Sequence, residues 1–64
     1  MNIKDLTISD LKSALDFTRS FIEEMKIKAK EEKIKVYEIG AYQETIQLEE
    51  KLYSELSNKV RLLQ

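Results

Sequence analysis

The stretch EEKIKVYEIGAYQE, Glu31 to Glu44, decides how this chain folds. It holds the only glycine, Gly40, and the densest run of β-branched and aromatic residues, between two segments that read as helix. Three readings of its middle compete. One is an extended connection whose Ile34, Val36 and Ile39 side chains close the end of a helical bundle. A second is a short strand over residues 34–39 that pairs with a strand of another molecule. The third is one long helix kinked near Gly40, which the helical spacing of Ile34, Tyr37 and Ala41 keeps open. Strict alternation fails at Tyr37, and six residues do not make a sheet alone.

Cap chemistry favours the connection. Gly40 is a tolerable N-cap, and Gln43 three residues on can reach back to its N–H as half of a capping box. The link is then 34–40, and helix two runs from about 41 to 64, with Lys59 and Arg61 suited to the negative end of its dipole. Upstream, Leu6-Thr7-Ile8-Ser9-Asp10-Leu11 reads as a helix start. Thr7 is placed to accept from the Asp10 N–H, Asp10 suits the positive end of the dipole, and Leu6 and Leu11 stand at hydrophobic-staple positions. Ser9 is a rival cap. Helix one then spans about 8–33, with neither Gly nor Pro inside it.

Heptad spacing assigns faces. In helix one the seam is Ile8, Leu11, Leu15, Thr18, Ile22, Met25 and Ala29. In helix two it is Tyr42, Ile46, Glu49, Tyr53, Leu56, Val60 and Leu63. A short link folds the helices antiparallel, bringing Met25 and Lys26 level with Glu49 and Glu50, and Phe21 level with Leu52. The expected fold is all-α, a single helical-hairpin domain over 1–64.

The seams leave apolar residues over. Ala14, Phe17 and Phe21 form a stripe beside the first seam, and Leu48, Leu52 and Leu62 one beside the second. Together they are the candidate self-association surface, by which two hairpins would form a homodimeric four-helix bundle. Chain length points the same way. With 64 residues and no cysteine to form a disulfide, one core is a poor source of stability and association is the remaining staple.

Composition excludes several classes. At 42% hydrophobic and 36% charged residues the chain is not a disordered type, and a net charge of −1 gives no bulk attraction to nucleic acid or anionic membrane. No apolar run approaches a membrane span, and Met1-Asn2-Ile3-Lys4-Asp5 lacks a signal-peptide core, so a cytoplasmic protein is expected. His and Cys are both absent, which removes the usual general base, thiol nucleophile, zinc ligands and the Glu-x-x-His di-iron motif. The pairs Glu23-Glu24, Glu31-Glu32 and Glu49-Glu50 are adjacent, so their side chains diverge on a helix instead of forming acid/base couples. One glycine cannot make a phosphate-binding loop. No catalytic residue, metal, cofactor or small-molecule substrate is assigned, and the expectation is a protein that is not an enzyme.

Three groups of residues remain as candidates for binding or register. Lys12, Arg19, Lys26 and Lys33 recur every seven residues beside the seam, with Lys30 close by. They read as a solvated or ion-paired face, or as a contact for RNA or another anion. Glu49 on the seam needs Lys26, Lys28 or a tyrosine hydroxyl, and Thr18 needs a carbonyl of the preceding turn; both polar seam residues would help set register. Val36, Tyr37 and Ile39 are the candidate site for a protein partner.

In shape and length this architecture resembles the plasmid RNA regulator Rop, a short helical hairpin that dimerises, though no motif is shared. The resemblance implies an RNA surface on the basic stripe as the alternative function. The leading expectation is a small helical interaction module that self-associates and binds a protein, of the kind common among accessory proteins of phages and mobile elements.

Overall fold

The computed structural model describes residues 2–63; the expected extension of helix two to Gln64, and Met1, lie outside them. Helix α1 spans Ile8–Glu32 and helix α2 spans Tyr42–Leu62, packed against each other as a hairpin, with a single 3₁₀ turn at Ile3–Asp5 and another at Val36–Glu38. Among the described residues there is no strand.

The start of α1 is fixed by a complete capping box. Thr7 Oγ1 accepts from the Asp10 N–H at 3.1 Å, and Asp10 Oδ2 accepts from the Thr7 N–H at 3.2 Å. Leu6, just before the cap, packs on a cluster of Leu11, Leu15 and Leu52, together with Ile3, Ala14 and Leu56. The staple is thus tied into the tertiary core. The Ile3–Asp5 turn is started by Asn2, whose side chain accepts from the Lys4 N–H, and Lys59 Nζ of α2 donates to the Lys4 carbonyl at 2.9 Å. This turn closes one end of the hairpin.

The other end departs from the expectation. α1 stops because Lys33 enters the left-handed region, φ 58° and ψ 37°. Its N–H donates to the Lys30 carbonyl at 3.3 Å, and the Ile34 N–H donates to the Ala29 carbonyl at 2.9 Å. Those two bonds are a Schellman cap, built on lysine where glycine is usual. The link then forms a 3₁₀ turn, in which Glu38 Oε2 accepts from the Lys35 N–H at 2.9 Å. It is neither a strand nor a continuous helix. Gly40 is not the cap of α2 and takes no positive φ. A turn closed by Tyr42 N–H donating to the Ile39 carbonyl delivers the chain into helical geometry at Ala41, which is the N-cap and has no side-chain capping bond. Gln43 therefore has no capping role.

Burial along α1 falls on Leu11, Leu15, Thr18, Ile22, Met25 and Ala29. The helix-one seam matches, save that Ile8 at its end is only half-buried. The helix-two seam is rotated. Leu52, 3% exposed, is the buried residue of α2, while Tyr53 is 57% exposed and Val60 and Leu63 are also exposed. Leu52 reaches Leu11 and Leu15 instead of lying level with Phe21. The energetics decide this: burying a leucine is worth ~1.5–3 kcal/mol, whereas the exposed Lys26–Glu50 pair of the expected register is worth ~0–1 kcal/mol.

Candidate functional site

The polar flank of the hairpin is built around Arg19. Its Nε donates to Glu49 Oε2 at 3.3 Å, and its guanidinium lies 6.0 Å from the Tyr53 ring centroid. Glu49 is thus answered by Arg19, not by Lys26, Lys28 or a tyrosine hydroxyl, because the rotation that seats Leu52 in the core swings Glu49 to the rim. Lys26 pairs within its own helix, Nζ to Glu23 Oε1 at 3.8 Å. A shallow groove floored by Ile22 and Ile46 runs between these groups. Of the five candidate anion-binding cations, Arg19 and Lys26 face carboxylates, and Lys33 gives only its backbone to the left-handed cap and is itself exposed. Lys12 and Lys30 are exposed on the same stripe. The result is a mixed-charge face.

Thr18, the other polar seam residue, is 5% exposed and donates from Oγ1 to the Ala14 carbonyl at 2.7 Å. Its hydroxyl is satisfied within its own helix. Among the described residues no buried side-chain polar atom lacks a partner, and no group of three or more acidic, His or Cys residues is placed to hold a metal.

The contacts of Arg19 with Glu49 and Tyr53 also fix which flanks of the two antiparallel helices share a face. By helical spacing the opposite flanks carry Ala14, Phe17 and Phe21 on α1 and Leu48 and Leu62 on α2. Phe17 is 76% exposed and Leu62 85%; Phe21 and Leu48 are exposed to a lesser degree. Leu52 is the exception in the expected self-association set. It is consumed by the hairpin's own core and offers nothing outward, and Ala14 is half-buried against that core. Phe21 continues into a shallow groove with Met25, Lys28, Ile39 and Ala41 at the linker end.

In the link, Val36 and Ile39 are half-buried and the turn packs on both helices, so these two side chains serve the hairpin's own end. Tyr37 is exposed, with Lys35 Nζ 5.7 Å from its ring centroid. Of the three candidate partner-binding residues, only Tyr37 is presented outward. Sequence reasoning overlooked Ile27, which is exposed on α1 away from both flanks; its isolated position on a charged face was the available signal.

No family model, curated protein or solved structure matches the chain. Among the described residues, no helix is long and apolar enough to cross a membrane.

Proposed function

We propose that this chain is a non-enzymatic interaction module that self-associates into a dimeric four-helix bundle and engages a protein partner through the linker end at Tyr37. The supporting observation is an excess of surface. The chain exposes 5133 Å², against ~4,300 Å² for a compact folded chain of its 7.6 kDa mass. The excess of ~800 Å² is what each partner contributes to a standard protein interface. The radius of gyration, 13.9 Å, tells the same story, since a compact chain of 64 residues has one of ~11 Å. Phe17, Phe21, Leu48 and Leu62 are exposed on one face, and a dimer formed there would cover them. An accessory role in a phage or mobile element is part of this proposal, on the ground that small cofactor-free helical modules are common there.

Sedimentation equilibrium at micromolar concentration tests the reading. The expected result is twice the chain mass, reverting to the 7.6 kDa monomer in Phe17→Asp. A folded wild-type monomer sinks the proposal. The Rop-like RNA reading is the weaker one, because carboxylates interrupt the basic stripe at Arg19 and Lys26. A salt-dependent RNA mobility shift would reverse that ranking.

A further inference from the structure

The apolar flank of α1 has an order along the helix. Asp10, Ala14, Phe17, Phe21, Glu24 and Lys28 follow at alternating spacings of four and three, so they form one stripe. Five of them are exposed, and Ala14 is half-buried. The stripe has an acid at the N-terminal end, aromatics in the middle and a base at the C-terminal end. It is also symmetric: each residue has a counterpart at equal distance from a midpoint at residue 19.

From this arrangement we infer that the second copy docks with its α1 antiparallel to the first, across a two-fold axis near residue 19. The inference rests on the self-association proposed above. In this pairing Phe17 of each copy meets Phe21 of the other, and Asp10 meets Lys28, twice by symmetry. Ala14, the smallest member, receives Glu24, whose methylenes cover apolar surface while its carboxylate reaches water. A parallel pairing instead sets Asp10 on Asp10 and Lys28 on Lys28, and aligns the two helix dipoles unfavourably. Charge complementarity therefore selects the antiparallel occupant. Leu48 and Leu62 lie on the same face and are carried into contact at its edge.

The chain has no cysteine, which makes cross-linking clean. Ala14→Cys and Glu24→Cys are prepared separately in the full chain, mixed in equal amounts, oxidised mildly and read by mass spectrometry. The two positions are ~15 Å apart along a helix, beyond the Cα reach of a disulfide. Antiparallel pairing thus makes the mixed disulfide the dominant product over either self-disulfide. Lys28→Glu, an exposed change that leaves the fold intact, is expected to raise the dimer dissociation constant roughly tenfold at low salt. Dominant self-disulfides, or a dimer that forms none of these bonds and ignores Lys28→Glu, would overturn the antiparallel arrangement. A wild-type monomer in sedimentation would overturn self-association itself, so the two failures are distinguishable.

Discussion

Lys33 carries the one left-handed backbone among the non-glycine described residues, and Lys33→Gly should stabilise the protein. A residue with a Cβ costs ~1–2 kcal/mol in this region, because Cβ crowds the following carbonyl. Glycine removes that cost, but it adds freedom to the unfolded chain worth ~0.5–1 kcal/mol. The two Schellman bonds use only backbone atoms, so both survive the change. The net gain is ~0.5–1 kcal/mol, or a rise in Tm of ~2–8 °C for a domain of this size. Thermal unfolding followed by circular dichroism measures it, at one fixed protein concentration because association also moves Tm. Lys33→Ala is the control: it removes the charge and the long side chain but keeps Cβ, and should gain none of this. If Lys33→Gly melts no higher than Lys33→Ala, the left-handed cap is not where α1 ends, and the reasoning fails.

Gly40→Ala should also stabilise, by ~0.4–1 kcal/mol, because an added Cβ meets no atom within 4 Å and the backbone there is not left-handed; denaturant titration that shows a loss would restore Gly40 as a required glycine. Leu52→Ala should cost ~2–5 kcal/mol, whereas the neighbouring Tyr53→Ala should cost under ~1 kcal/mol. The reverse order in chemical denaturation would mean that α2 is rotated the other way. A double-mutant cycle on Arg19 and Glu49 should return a coupling of only ~0–1 kcal/mol, since both side chains are partly exposed. A value well above that range would show the pair desolvated by an added surface.

Helix α1 was legible because its apolar residues follow one stripe with no equal competitor, and its cap is written in side chains, Thr7 and Asp10. Helix α2 offers two stripes within a fraction of a turn. One is rich in tyrosine and runs through Tyr42, Ile46 and Tyr53; the other passes through Leu48 and Leu52. Spacing alone does not choose between them. Packing does, because tyrosine keeps its hydroxyl at the rim at little loss, while leucine gains only by full burial. The pairing of Glu49 depended on the same choice, since rotating the helix changed which cation it met. The end of α1 was hidden for a different reason. A left-handed lysine is stabilised by backbone bonds that reach back to Ala29 and Lys30, and no side chain announces them. The one glycine drew attention to a position whose backbone makes no special demand.

Moving Leu52 inside changes what the outer surface can do. Had it faced outward, both helices would have offered comparable apolar stripes, and a partner could have docked on either. With Leu52 in the core, the exposed apolar groups on that face are Phe17 and Phe21, one turn apart on α1, and Leu48 and Leu62, set well apart on α2; Phe17 and Leu62 are the most exposed of the four. The opposite flank is mainly polar: Arg19 pairs with Glu49 and Lys26 with Glu23, and Lys12 and Lys30 are exposed beside them. A hairpin with one unfinished face closes its assembly at two copies when that face meets itself across a two-fold axis. Two unfinished faces would instead propagate contacts from copy to copy. In the proposed self-association, the separation of an apolar flank from a mixed-charge one would therefore favour a discrete dimer over a polymer, with Tyr37 lying outside the Asp10–Lys28 stripe that the two copies would share.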